Sequence, residues 1–244
     1  MDQQIKGITL MNYADFKKRV ENYREEIYRD VYLENQEKIR IKKESTAIKN
    51  FEKIFDAVFD ITYEKGFQAM TMRDLSSRAN MSLGALYGYF ASKEELLAII
   101  QKQGSSMIRN IFAQFHDQTA PLLEQLRAVI KTHLFLSESA RPWFYFTFME
   151  AKNLTSTGRQ AVIAMEEYTE NMLVTILESG EEKGIFRKQN HLLTASIIKA
   201  MQQEWYLKRW KYRKREIDVD AYADCVLEFT ESYCLNPDYA ECGI

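Results

Sequence analysis

The chain has 244 residues, of which 46% are hydrophobic and 28% charged, a balance that is ordinary for a soluble globular protein with a sizeable core. Its 33 Lys and Arg against 35 Asp and Glu give a formal charge of −2, so any affinity for nucleic acid has to come from local patches. No stretch approaches the roughly 20 apolar residues that cross a bilayer, and the N-terminal residues lack the apolar core of a signal peptide. We therefore expect a cytoplasmic protein that has no membrane as a partner.

Only three prolines and nine glycines interrupt long runs of helical periodicity, which predicts an all-α fold. The first helix is expected from residue 12 to about residue 40, with Asn12 and Asp15 as its cap and one apolar face formed by Phe16, Val20, Tyr23, Ile27 and Val31. It ends in a basic run, Lys38 to Lys43. Such a run is usually a solvated face, but its position before the next motif also suits contact with phosphate.

The second predicted helix runs from about Ala47 to Lys65, and Gly66 is placed to end it. Thr71 and Asp74 then form a Thr-x-x-Asp cap that opens a helix through about Ala79. Asn80 tolerates the left-handed conformation that a tight turn between helices requires.

Ser82 can cap the next short helix, and Ser92 with Glu95 forms a capping box before a long one. A helix, a tight turn and a second short helix with small leading residues is the geometry that enters a DNA major groove. Leu83 and Ala85 suit contacts with thymine methyl groups, and flanking phosphates would lie near Arg73, Tyr87, Tyr89 and Lys93. A plain three-helix bundle is the alternative.

The stretch from Ile54 to Leu97 resembles the DNA-binding domain of the TetR family of bacterial transcriptional regulators. The resemblance rests on Lys65-Gly66-Phe67, on the cap from Thr71 to Asp74, on Leu86 to Phe90 and on Ser92 to Glu94. It implies a helix-turn-helix domain over residues 45–95, with its motif at 71–90, that binds double-stranded operator DNA. The implied DNA-binding residues are Thr71, Arg73, Ser82, Leu83, Gly84, Ala85, Tyr87, Tyr89 and Lys93.

This sequence departs from the family pattern where bases would be read. Leu83 replaces a commonly polar residue, Ala85 a common Thr and Asn80 the usual Gly. An apolar tip favours recognition through methyl contacts and DNA shape. The extension over residues 1–44 exceeds the family's usual arm. It is expected to brace the head, to lengthen the DNA footprint or to pair with a partner chain.

Residues 96–235 are expected to form about six more helices, followed by a tail at 236–244. Pro121, Arg141-Pro142 and Asn190 mark helix starts, and Gly184 ends a long helix from about Gly158. The resemblance implies that this region holds an effector pocket and dimerises. The helices at about Asn190–Tyr212 and Val219–Cys234 match in position the pair that forms the family's dimer interface.

The string WFYFTFME, Trp143 to Glu150, is unusually aromatic for a short helix. A cavity for a small hydrophobic or aromatic effector, such as an acyl chain, is one interpretation, and a packed core is the other. The candidate pocket residues are Trp143, Phe144, Phe146, Met149, Met165, Tyr168, Met172 and Trp205. A second basic run, LKRWKYRKR, is expected to be a solvated face or to form salt bridges.

The three histidines and three cysteines lack metal-ligand spacing, and common catalytic motifs are missing, so we expect no metal site, no cofactor and no enzyme. The resulting hypothesis is a homodimeric, ligand-responsive repressor. The alternative is a helical interaction protein that kept the fold without specific DNA binding.

Overall fold

A computed structural model describes residue 8 and residues 11–37, 39–151, 154 and 156–242, without the side chains of residues 22–25, 157 and 240–242. The described part forms helices and no β-strand, apart from one isolated bridge between Phe186 and Leu235, which confirms the all-α prediction. In chain order the helices are α1 (Tyr13–Asn35), α2 (Glu44–Lys65), α3 (Met72–Arg78), α4 (Leu83–Leu86), α5 (Lys93–Phe115), α6 (Leu122–Ser139), α7 (Arg141–Glu150), α8 (Ser156–Glu182), α9 (His191–Leu207), α10 (Arg209–Lys214), α11 (Val219–Cys234) and α12 (Pro237–Cys242). The side chain of Tyr23 and all of Lys38 lie outside the described residues.

The helix ends lie close to the predicted caps. Gly66 and Gly184 follow α2 and α8 with φ of +83° and +69°, values that glycine adopts without steric cost. Asn80 has the expected left-handed φ of +53°. Side-chain oxygens accept from backbone N–H groups at the predicted starts of five helices: Asn12 from Asp15, Thr71 from Asp74, Ser82 from Ala85, Ser92 from Glu95 and Asn190 from Leu193.

The chain divides into two compact units. The head unit comprises residues 20–108 and 142–163, and the C-terminal unit comprises residues 1–19, 109–141 and 164–244. These ranges differ from the predicted domain boundaries at residues 44 and 95. The extension is divided between the units, and most of α7 belongs to the head unit because its aromatic side chains pack there, as described below.

The central helix of the head unit is α2, whose side chains Phe51, Ile54 and Val58 are fully buried. Tyr28 of α1 packs edge-to-face on Phe55 of α2 with ring centroids 5.5 Å apart. Leu75 of α3 is also fully buried. Part of the N-terminal extension therefore completes the core of the head unit, as one of the three sequence-based alternatives had it.

The central helix of the C-terminal unit is α6, in which every residue from Ala128 to Ser137 is buried. It packs against α9 and α11. The start of α1 also belongs to this core, since Phe16 is fully buried and its ring lies 5.0 Å from that of Phe115 and 5.6 Å from that of Phe135.

One predicted helix is interrupted. The sequence predicts a helix over about 190–212, but α9 ends at Leu207 and α10 begins at Arg209. At Lys208 the backbone leaves the helical region, with φ −119° and ψ 33°. Within the described residues, no helix combines the length and the apolar character that crossing a membrane requires.

Candidate nucleic-acid interface and ligand cavity

Helices α3 and α4 form a helix-turn-helix whose turn is held by side chains. The hydroxyl of Ser76 donates to the carbonyl of Met81 at 2.5 Å, and the amide of Met81 donates back to the carbonyl of Ser76 at 3.0 Å. At the start of α3, the Asp74 carboxylate accepts from the Thr71 amide at 2.7 Å and pairs with Lys65 at 2.8 Å. The Lys65 ammonium, together with the Thr71 donors, holds the pKa of Asp74 well below its usual range.

The exposed face of α4 is low and apolar. Leu83 is 36% exposed and Tyr87 46% exposed, whereas Leu86 is fully buried on the opposite side. Gly84 is exposed, and a Cβ built on it would meet no atom within 4 Å. The packing of this protein therefore does not require glycine at position 84. Ala85 is half-buried, and Ser82 uses its hydroxyl to cap the helix.

Tyr89 is not on this face, although the sequence assigned it to DNA contact. Its side chain is only 3% exposed, its hydroxyl accepts from the amide of Asn50 at 2.6 Å, and its ring lies 5.1 Å from that of Phe51. Because α4 ends before it, Tyr89 does not continue the helical periodicity that put it beside Tyr87. Burial raises the pKa of its hydroxyl. Tyr89 is a core residue in this structure.

Lys93 has a similar structural role. Its ammonium donates to the carbonyls of Gln68 and Met70, both at 3.0 Å, and lies 4.8 Å from the centre of the Phe67 ring. Partial burial lowers its pKa. Two of its three donors therefore brace the loop between α2 and α3, which leaves one donor for a phosphate.

The other cations near the motif differ in their partners. Arg78 pairs with Glu64 at 2.8 Å and with Asp60 at 3.6 Å. Arg73 is exposed and makes no side-chain hydrogen bond or ion pair with any described residue. Of the predicted DNA-binding residues, Thr71, Arg73, Ser82, Leu83, Gly84 and Tyr87 lie exposed on α3, α4 and their caps.

The aromatic helix α7 packs in the core of the head unit. Phe146 is 1% exposed and packs edge-to-face on Phe59 and Phe67, with centroid distances of 5.5 and 5.6 Å. The indole of Trp143 donates to the carbonyl of Ile100 at 3.2 Å. It lies so close to Gly104 that a Cβ there would stand 1.8 Å from the ring.

Glu150 anchors the end of α7. Its carboxylate accepts from the amide of Phe67 at 3.1 Å, and the side chain is 4% exposed. Sequence reasoning did not single out Glu150, because a lone acidic residue at a helix end gives no local sign of its distant partner. Trp143, Phe144 and Phe146 are therefore packed residues of the head unit, as the alternative interpretation had it, and Met149 is 41% exposed.

The C-terminal unit contains a cavity of about 1170 Å³ between α5, α6 and α8. Tyr168 and Met172 line it, but the other six predicted pocket residues do not. The guanidinium of Arg109 lies 4.5 Å from the centre of the Tyr168 ring. The larger apolar side chains of the lining are those of Phe112, Leu122, Tyr168, Met172, Ile176 and Ile185.

Trp205 and Met165 lie elsewhere in the C-terminal unit. Trp205 is fully buried, its indole donates to the carboxylate of Glu138 at 3.0 Å, and its ring packs on Tyr212 and Tyr222. Met165 is 8% exposed. These contacts are those of core residues.

A buried polar cluster joins α6, α8 and α9. The ammonium of Lys199 donates to the hydroxyl of Thr169 at 2.7 Å and lies 3.2 Å from Nε2 of His133 and 3.6 Å from the carboxylate of Glu166. Burial lowers the pKa of Lys199. Burial, and then the charge of Lys199, holds the pKa of His133 well below its usual range.

Helices α9 and α11 carry an exposed apolar face. Leu193 and Ile197 of α9 are 57% and 55% exposed, and Phe229 and Tyr233 of α11 are 67% and 51% exposed. Large apolar side chains grouped on adjacent helices are typical of a surface that another protein covers.

Comparison with known proteins identifies two regions of the chain. Residues 54–100 match the sequence model of the tetR family of bacterial regulatory proteins, and residues 119–229 match the tetracyclin repressor-like C-terminal domain. Between them the two matches take in more than half of the chain.

Among similar proteins is the HTH-type transcriptional repressor KstR2 of Mycobacterium tuberculosis, 30% identical over 125 residues. That match covers 51% of this chain and 62% of the repressor, less than two thirds of its length. The solved structure of KstR2 superposes with a TM-score of 0.68 and 21% identity, over 76% of this chain and 94% of that one.

Two further solved structures share the fold and contain ligands. AibR in complex with isovaleryl coenzyme A and operator DNA has a TM-score of 0.65 and 19% identity, over 77% of this chain and 98% of that one. FadR of Bacillus subtilis in complex with stearoyl-CoA has a TM-score of 0.58 and 23% identity, over 75% and 98%.

Proposed function

The chain belongs to the tetR family of bacterial regulatory proteins, and on that basis we propose that it is a DNA-binding transcriptional repressor that a small hydrophobic effector releases from its operator. The observation that carries this proposal is the exposed face of α4, which is narrow at Gly84 although the protein's own packing leaves room for a side chain there. We propose that the repressor acts in the cytoplasm and has no catalytic activity.

An α-helix enters the major groove only where its leading face can approach the base edges closely. Leu83 and Ala85 present apolar groups suited to thymine methyl groups, while Arg73 and Tyr87 are exposed at positions suited to flanking phosphates. Thr71 and Ser82 complete the proposed contact surface at the starts of α3 and α4.

Replacing Gly84 by Gln tests this assignment. The new side chain meets no protein atom near its Cβ, and Gln favours helix more than Gly does, so the thermal midpoint is expected to stay the same or rise slightly. Binding to operator DNA is expected to fall steeply because the added side chain fills space that the base edges need. The control is Ala98→Gln on an exposed position of α5, which is expected to change neither property. Unchanged DNA binding by Gly84→Gln would overturn the proposed docking mode.

We propose that the effector is an acyl-type molecule and that it binds in the cavity of the C-terminal unit. The volume of about 1170 Å³ and the mixed lining of apolar and polar side chains suit a ligand with an apolar chain and a polar end. Two proteins of the same fold were solved with acyl-CoA ligands, which supports the choice of probe.

The effector proposal is tested by adding isovaleryl-CoA and stearoyl-CoA to the preformed complex with DNA. Met172→Trp fills the cavity and is expected to weaken release while operator affinity stays unchanged. Gln114→Trp places the same bulk at an exposed position of α5 outside the lining and serves as control. An effector changes DNA affinity only by the ratio of its own affinities for the bound and free states. If the same ligand concentrations released Met172→Trp and the unsubstituted protein from DNA, this cavity would be excluded as the effector site.

We propose that α9 and α11 form the interface of a homodimer. The exposed face of Leu193, Ile197, Phe229 and Tyr233 supports this, and two-fold symmetry would present two recognition helices to two half-sites. Ile197→Glu is expected to give monomers by light scattering and to lose operator affinity. Ile163 of α8 is 48% exposed, and Ile163→Glu is expected to remain dimeric.

A second candidate function is that of a helical interaction protein without specific DNA binding. It is favoured by the engagement of Lys65, Arg78 and Lys93 in contacts within the protein, which leaves few free cations beside the motif. Equal weak binding to all DNA would support this alternative.

A further inference from the structure

The segment that links α1 to α2 packs against the end of the proposed recognition helix. The amide of Arg40 donates to the carbonyl of Gly88 at 2.9 Å. Position 88 is closely packed, since a Cβ there would stand 3.0 Å from Cδ1 of Ile41 and 3.8 Å from Cβ of Arg40. Arg40 is therefore held next to the residue that follows Tyr87.

Two hydrogen bonds fix the same segment to α1, and two more lie within the segment. Ile39 is fully buried, and its amide donates to the carbonyl of Asn35 at 3.0 Å. The hydroxyl of Tyr32 donates to the carbonyl of Lys42 at 2.9 Å, and the ammonium of Lys42 donates to the carbonyls of Gln36 and Ile39, both at 3.1 Å. The segment is thus a braced corner of the head unit.

Of the three cationic side chains described in this corner, Lys42 is bonded within the protein and the other two are not. Lys42 uses its ammonium to satisfy two carbonyls of the segment itself, those of Gln36 and Ile39. Arg40 and Lys43 are exposed, and neither side chain forms a hydrogen bond or an ion pair with another described residue. Two charged side chains are therefore presented to solvent from a fixed backbone, which the amide of Arg40 ties to Gly88, the residue after Tyr87.

From this arrangement we propose that Arg40 and Lys43 form a second phosphate-binding site, which lengthens the DNA footprint beyond the helix-turn-helix. The inference rests on the proposed function. A guanidinium binds phosphate through two parallel hydrogen bonds, and a braced backbone reduces the entropy that is lost when it does so. Contacts of this kind set the position of the protein on the duplex and do not select its sequence.

The proposed site also adds to the positive charges that the head unit can offer to DNA. Arg78 and Lys65 are paired internally and Lys93 is largely engaged, so Arg73 alone of the predicted contact residues offers an unpaired charge among the described residues. Arg40 and Lys43 add two exposed cations to the head unit, and Arg40 lies next to the end of the proposed recognition helix. The N-terminal extension then supplies both packing and charge to the head.

The experiment is the salt dependence of DNA affinity for the double variant Arg40→Gln, Lys43→Gln. Each phosphate contact contributes about one unit to the slope of log K against log salt, so two contacts from each protomer of the proposed homodimer are expected to make a difference of about four when they are removed. Affinity is expected to fall by the same factor on operator and unrelated DNA, and hydroxyl-radical protection is expected to be lost at one flank of each half-site. Both side chains are exposed, so the thermal midpoint is expected to be unchanged.

The matched control is Arg213→Gln, Lys214→Gln on α10, which removes the same charge from exposed positions of the C-terminal unit. Its salt slope is expected to equal that of the unsubstituted protein. An unchanged slope and footprint for the Arg40, Lys43 variant would overturn the inference while the proposed function stands. Failure of the unsubstituted protein to bind any DNA would instead overturn the proposed function, and the inference with it.

Discussion

Replacing Phe146 by Ala separates a packing role of α7 from a ligand-binding role. Phe146 is 1% exposed and makes edge-to-face contacts with Phe59 and Phe67. Truncating a buried phenylalanine to alanine costs about 3–5 kcal/mol, because the transfer free energy of the ring is lost and a cavity is left. For a protein of this size, 1 kcal/mol lowers the thermal midpoint by roughly 2–4 °C. The expected decrease for Phe146→Ala is therefore roughly 6–20 °C.

The control lies on the same helix. Phe148 is 46% exposed, so Phe148→Ala is expected to change the free energy of unfolding by no more than about 0.5 kcal/mol. Urea unfolding followed by circular dichroism measures both variants, and operator binding is measured below the midpoint of each. If Phe146→Ala unfolded like the unsubstituted protein and lost only its response to effector, the packing role would be refuted and Phe146 would belong to a ligand pocket.

Results are also expected for four further variants. His133 has a lowered pKa in the folded protein, so below about pH 6.5 the unfolded chain binds more protons than the folded one. The free energy of unfolding therefore decreases as the pH is lowered through this range, by up to about 1.4 kcal/mol per pH unit. In His133→Gln that part of the pH slope is expected to be missing, and equal slopes would contradict the buried neutral state. Tyr87→Phe is expected to weaken binding to all DNA sequences alike. Tyr89→Phe loses the hydrogen bond to Asn50 and is expected to lower the free energy of unfolding by about 0.5–1.5 kcal/mol without removing a direct DNA contact. If unfolding assays showed unchanged stability and gel shifts showed weaker DNA binding, Tyr89 would belong to the interface. Glu150→Gln is expected to lower stability, because the amide of Phe67 loses a charged acceptor, and an unchanged urea midpoint would count against that contact.

The features that the sequence predicted correctly depend on neighbouring residues. The cap at Thr71 and Asp74, the left-handed turn at Asn80 and the helix end at Gly66 each follow from chemistry within a few residues. The same holds for Gly184 and for the all-α class, which follows from periodicity. These features also gave the helix-turn-helix, because the motif is defined by its caps and its turn.

The features that the sequence left open depend on distant residues. Tyr87 and Tyr89 are two residues apart and chemically alike, yet only Tyr89 meets Asn50, 39 residues away. Phe146 meets Phe67, and Trp205 meets Glu138, at similarly large separations. An aromatic string has the same composition in a packed core and in a ligand cavity, so composition alone could not decide between them.

The N-terminal extension shows the same limit. Its periodicity predicted a helix and its charges predicted a basic run, but periodicity does not show which surface the run joins. The hydrogen bond from Arg40 to Gly88 and the burial of Ile39 show that the corner of residues 39–43 packs against the end of α4, the proposed recognition helix.

The most direct test of the central claim is the binding of the purified protein, at two salt concentrations, to a fragment from upstream of its own gene and to an unrelated fragment of equal length. Selective binding to the upstream fragment that weakens as salt rises is the predicted result, since phosphate contacts release counterions and the face of α4 is proposed to read the groove. Equal weak binding to both fragments would contradict a sequence-specific repressor.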